Sequence, residues 1–265
     1  MKTSSRITSI LKANCLDTHV TGLPTFELSQ LHLTHTPIFE LPTQLRLGHL
    51  AERVVSECIQ ASTNYTLLYE NIQLLEDKKT IGEIDFILQE VETQQITHLE
   101  LAYKFYLYDP SRSSEVKNNW IGPNKNDSLT EKLEKLKTKQ FSLLYHPCAK
   151  RALDKIDVHN VTQALCLLVS LYIPYTYKGN FNPSYSAAIK GYYLDLKTFI
   201  HLDNATKTYR MPPKKEWGME PSENKTWVDY TVLSYQLTTS IAERQAPLIW
   251  QKDEDSFTQF FVVWW

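Results

Sequence analysis

Ile96-Thr97-His98-Leu99-Glu100-Leu101-Ala102-Tyr103-Lys104-Phe105-Tyr106-Leu107-Tyr108 is the stretch whose reading decides this fold. Side chains alternate faces along a strand. Leu99, Leu101, Tyr103, Phe105 and Leu107 therefore share one face, and His98, Glu100, Ala102, Lys104 and Tyr106 share the other. Just upstream, Gly82-Glu83-Ile84-Asp85-Phe86-Ile87 alternates in the same way, with Ile84 and Phe86 opposite Glu83 and Asp85. Two neighbouring strands thus offer Glu83, Asp85, Glu100 and Lys104 from polar faces. Alternation alone fits two arrangements. One is an antiparallel sheet with a solvated face. The other is a cleft where carboxylates and one ammonium converge.

Working outward, Tyr65–Leu75 supplies a third strand-like run ahead of Ile81–Leu88 and Ile96–Tyr108. The polar connections Asp77-Lys78-Lys79 and Glu90–Gln94 are short enough for hairpins. Before this meander, Leu47, Ala51, Val54, Val55 and Cys58 recur at helical spacing, which predicts a helix over about 43–61 capped by Thr43. After it, Ser128-x-x-Glu131 is a capping box for a helix over about 128–140 with Leu129, Leu133 and Leu136 as its apolar stripe. Gln140 continues that stripe, so it either points inward toward the acids or simply ends the helix. Lys132, Lys135 and Lys139 lie on another face, which is either solvated or phosphate-neutralising. Further along, Val158–Leu171 reads as a buried helix and Tyr192–Leu202 and Trp227–Leu237 as strands. The proline-bearing Met211–Ser222 reads as a loop. Phe260–Trp265 reads as a strand covered on both faces, and the first 40 residues read as irregular, with Pro24, Pro37 and Pro42 as breakers.

Composition narrows the chemistry. The 265 residues carry 28 basic and 30 acidic side chains and only 7 glycines. Neither GxGxxG nor GxxxxGK[ST] occurs, so dinucleotide and P-loop chemistry lack a sequence basis. No Gly-x-Ser-x-Gly elbow is present. The four cysteines form no CxxC pair, which argues against a zinc ribbon, and Cys58 and Cys166 read as small core residues. The longest apolar stretch, Ala164–Tyr175, falls short of the roughly 18 residues of a membrane span, and no apolar leader opens the chain. A cytoplasmic protein with no membrane partner is expected. Charge is unevenly distributed. Glu70–Glu100 holds eight acids against two lysines, whereas Arg112–Lys155 holds ten basic residues against five acidic ones. Carboxylates beside a basic flank suit a hard metal ion and a polyanion.

The Gly82–Ile87 segment followed by His98–Phe105 resembles the core motif of the PD-(D/E)XK nuclease superfamily. More narrowly, His98–Leu107, Trp120-Ile121-Gly122-Pro123-Asn124, the region of Trp217 and Pro221, and Phe260-Phe261-Val262-Val263 resemble an uncharacterised bacterial family, domain of unknown function 1853. The resemblance implies an α+β fold with a restriction-endonuclease-like core, a helix, three-stranded meander, helix and strand at about 43–145. A family-specific elaboration would follow over about 146–265, in a single domain. It also implies Mg²⁺-dependent phosphodiester hydrolysis of nucleic acid. Asp85 and Glu100 would be the metal carboxylates, with Glu52 as the acid of the first helix and Glu57 a weaker candidate. Lys104 would be the catalytic lysine, and Gln140 a further site residue. The pattern departs at Ala102, which stands where the lysine belongs. Lys104 is on the same face, about 6–7 Å further along the strand. That departure keeps open a non-catalytic nucleic-acid- or protein-binding module on a degenerate nuclease core. His98, beside the acids, fits either a supporting group or a satisfied structural histidine.

Overall fold

In chain order, the computed structural model has α1 (Thr3–Leu11), β1 (Asn14–Cys15), α2 (Thr18–Thr21), α3 (Leu47–Gln60), β2 (Tyr65–Glu76), β3 (Lys79–Glu90) and β4 (Ile96–Tyr108). These are followed by β5 (Trp120–Ile121), α4 (Leu129–Lys135), α5 (Pro147–Ala152), β6 (Val161–Pro174), α6 (Pro183–Ala188) and β7 (Ile189–Asp195). The chain ends with α7 (Leu196–Leu202), β8 (Lys207–Arg210), α8 (Tyr230–Ala242), β9 (Leu248–Asp253) and β10 (Ser256–Val263). Residues 3–42, 44–203 and 205–265 are described, so the expected cap Thr43 lies outside the described residues. The fold is mixed α/β, with several helices and a large, mostly antiparallel sheet. The chain divides into two compact units. The first comprises Cys15–Tyr103 and Glu131–Leu168. The second comprises the N-terminal stretch through Asn14, Lys104–Thr130 and Val169–Trp265.

In the first unit the strand order is β2-β3-β4-β6. The β2–β3 hairpin turns through Asp77 and Lys78, whose φ angles of 47° and 64° mark a two-residue primed turn between the paired Glu76 and Lys79. Such a turn matches the right-handed twist of its strands. Helix α3 forms where the periodicity predicts, and its face Leu47, Ala51, Val54, Val55 and Cys58 is buried. Leu74, Ile84, Ile87, Leu143 and Leu144 build a core between β2, β3 and the chain following α4. The β3–β4 ladder runs from Gln89↔Ile96 to Phe86↔Leu99. Beyond Phe86 a side chain takes over: Leu101 N donates to Asp85 Oδ2 at 2.8 Å. That exchange sets Asp85 beside Glu100.

In the second unit β6, β7, β10, β9 and β8 follow in order. Strand β10 runs parallel to β7 and antiparallel to β9, so its backbone is paired on both edges. Phe260, Phe261, Val262 and Val263 are buried, as a continuous apolar run requires. Gly191 on β7 is needed there, because a Cβ would run into the Gln259 carbonyl oxygen.

Several expectations fail for identifiable reasons. Val158–Leu171 is not a helix: after a short 3-10 turn at Val158–Asn160 it is β6. A strand buried on both faces lacks the alternation that separates it from a buried helix. Trp227–Leu237 is not a strand, because Asp229 Oδ1 accepts from Val232 N at 2.9 Å and starts α8. Tyr192–Leu202 is a strand only to Asp195, which caps α7 by accepting from Thr198 N at 2.7 Å. The opening residues are not wholly irregular, since α1 forms with Arg6, Ile7 and Ile10 buried. Arg6 donates to Trp217 O at 2.7 Å, tying α1 to the Met211–Ser222 loop.

Candidate functional site

The polar side of the β4 segment is dry. His98 is 0 % and Glu100 1 % exposed, which excludes the solvated-face arrangement for these two residues. Helix α4 does not stop at Lys135. It continues as a π-turn over Leu136–Gln140 and a 3-10 segment over Phe141–Tyr145. Such π-turns are rare and are frequent at functional sites. This one carries Gln140 to the acids, where Nε2 donates to Glu100 Oε2 at 3.1 Å and to Glu83 O at 3.4 Å. The other Glu100 oxygen, Oε1, lies 2.8 Å from His98 Nε2. Both oxygens of a buried carboxylate are thereby satisfied.

Asp85 is the strained member of the group. Loss of hydration on burial pushes its carboxyl up to about 8, and the Glu100 charge adds to this. The Leu101 N–H bond pulls back, the Glu52 charge pushes up again, and the Lys132 ammonium pulls down. A carboxyl raised in this way by burial and a neighbouring acid marks a candidate functional site. Asp85 Oδ1 accepts no hydrogen bond among the described residues. With Glu100 it provides an oxygen-only donor set, which suits Mg²⁺ or Mn²⁺.

The other candidates fall as follows. Glu52, on α3, bonds His49 Nδ1 at 2.8 Å and lines an open groove of about 400 Å³ with Glu70, Gln73 and Glu83. Its charge reaches Asp85. Glu57 pairs with Arg53 along the same helix. Lys104 belongs to the second unit, where Nζ donates to Asp127 Oδ2 at 2.7 Å. The structure thus brings together Asp85, Glu100 and Gln140, with Glu52 in electrostatic range, while Lys104 is engaged by another acid. Lys132, half-buried on α4, is the lysine whose charge acts on Asp85; Lys135 and Lys139 are exposed. Gln163 was not anticipated from sequence. It donates through Nε2 to Phe141 O at 2.7 Å and lies 3.3 Å from His98 Nδ1. Its only signal is a polar side chain at the head of a run of buried apolar ones.

A second cluster also gathers ligand-type atoms: Glu76, His146 and Cys148 lie within 4.8 Å of one another. Two of its side chains are already engaged. His146 Nδ1 caps α5 by accepting from Cys148 N at 3.2 Å, and the Arg151 guanidinium donates to Cys148 Sγ at 3.1 Å. A guanidinium on the thiol opposes a cation there, and His146 serves as the cap of α5.

A family model described as a domain of unknown function (DUF1853) matches residues 11–259. The chain belongs to this family. No curated protein and no solved structure matches it. Among the described residues, no helix of this DUF1853 protein is long and apolar enough to cross a membrane.

Proposed function

We propose that this DUF1853 protein hydrolyses phosphodiester bonds of nucleic acid with Mg²⁺, on a restriction-endonuclease-like core formed by α3, β2, β3, β4 and α4. The observation that carries the reading is the pairing of half-buried Asp85 with a dry Glu100 that His98 and Gln140 clamp, with Asp85 held up to about 8. A Mg²⁺ on Asp85 and Glu100 would polarise a phosphate oxygen and make a bound water more acidic. Gln140 holds Glu100 in place, and Glu52 adds negative charge from the groove. Lys132 takes the part expected of Lys104, stabilising charge that develops on the phosphoryl group. The exposed Lys135 and Lys139 neutralise flanking phosphates.

Calorimetry with Mn²⁺ and Mg²⁺ tests this directly. The wild type should bind, and the Asp85→Asn, Glu100→Gln double variant should not. Unchanged affinity in the double variant refutes the reading. Ala102 and the Lys104–Asp127 pair favour a second reading, a non-catalytic module. Its signature is nucleic-acid binding without Mg²⁺-dependent cleavage of single- or double-stranded DNA or RNA.

A further inference from the structure

We propose that Gln163 is a positioning residue for Glu100 and acts through His98. The inference rests on the metal-centre reading above. A carbonyl oxygen only accepts, so the amide atom 2.7 Å from Phe141 O is the NH2 group of Gln163. The second hydrogen of that group then faces His98 Nδ1 at 3.3 Å, which makes Nδ1 the bare, accepting nitrogen. The ring proton is therefore on Nε2, which donates to Glu100 Oε1 across 2.8 Å. The Phe141 ring lies edge-on to the imidazole, with centroids 5.4 Å apart, and walls the ring in. Gln140 supplies the matching bond to Oε2 at 3.1 Å.

These two bonds fix the rotation of the Glu100 carboxylate and leave each oxygen a lone pair for a cation. Without Gln163 only the accepting Glu100 carboxylate favours the proton on Nε2, and the Nδ1–H tautomer becomes accessible. A proton on Nδ1 would turn the Nε2 lone pair onto Oε1, and the carboxylate would have to rotate away. His98 and Gln140, one bond behind a metal ligand, are partners of the kind whose removal typically changes metal affinity by about 10–100-fold, and Gln163 stands one bond further back.

The test uses the full chain with ¹⁵N-labelled histidine. In the metal-free wild type the His98 ring nitrogens should report the proton on Nε2 and a bare Nδ1. Gln163→Leu should populate the Nδ1–H form at the expense of that signature and weaken Mn²⁺ binding by up to about 10-fold in calorimetry. Gln163→Asn, too short to reach Nδ1, serves if the leucine variant does not fold. A wild-type proton on Nδ1 overturns the proposal without any variant. Unchanged tautomer and Mn²⁺ affinity in the Gln163 variants also overturn it. A wild type that binds no Mn²⁺, yet shows the Nε2–H form and loses it in the variant, supports the relay and overturns the metal-centre reading.

Discussion

Asp85→Asn should make this protein more stable, by an amount that depends on pH in a defined way. In the unfolded chain the Asp85 carboxyl titrates near 3.8, and in the fold it is held at about 8 by burial and by the Glu100 charge. The folded state therefore keeps its proton where the unfolded state has lost it. Stability falls as pH climbs from about 4 to about 8 and levels off above that. At 1.36 kcal/mol per pH unit, the ceiling on this penalty is about 4 kcal/mol at pH 7 and about 6 kcal/mol above pH 8. Relaxation and water entry reduce it, so about 2–3 kcal/mol is expected at pH 7. Asparagine keeps the volume, and its Oδ1 can still accept from Leu101 N, so no bond need be lost. Urea unfolding of both proteins at pH 5, 7 and 9 measures the gap, which should be below about 1.5 kcal/mol at pH 5 and largest at pH 9. Saturating Mg²⁺ should stabilise the wild type and not the variant, which reverses the order. A variant no more stable than wild type at pH 9, or a gap that does not change with pH, would refute the electrostatic account of Asp85.

Lys132→Ala should lower Mg²⁺-dependent cleavage by about 10²-fold or more while Mn²⁺ binding holds or tightens, because a like charge leaves the site. Lys104→Ala should leave cleavage intact, since that ammonium serves Asp127; the opposite pattern in a cleavage assay would return the role to the strand lysine. Lys78→Gly should raise stability in thermal unfolding by about 0.5–1 kcal/mol, because the φ of 64° in the β2–β3 turn strains a lysine and suits a glycine. Deleting residues 260–265 removes most of the apolar half of β10 from between β7 and β9. Each buried large side chain is worth about 1.5–3 kcal/mol, so the truncated chain should be insoluble or molten, and a soluble product with an unchanged melting temperature would contradict this.

The sequence was legible where solvent marks one face of an element. Helix α3 announced itself by Leu47, Ala51, Val54, Val55 and Cys58, and the β2–β4 meander by alternation and its polar turns. It misled where both faces are covered or where one capping carboxylate redirects the chain. β6 carries no period to read, and Asp195 and Asp229 convert β-prone residues into α7 and α8. The candidate site shows the same limit in sharper form. Alternation placed His98 and Glu100 on one face but could not say whether that face is wet. The answer comes from Gln140, 40 residues past Glu100, and Gln163, 65 residues past His98. No local rule joins residues so far apart. A half-buried glutamine does leave one trace, however. Gln163 precedes the apolar Ala164–Val169 run, where a polar side chain must find partners or destabilise the strand. A charged residue on an otherwise dry strand, Glu100 on β4, poses the matching demand. Those two demands are met by each other, and His98 is the group that connects them.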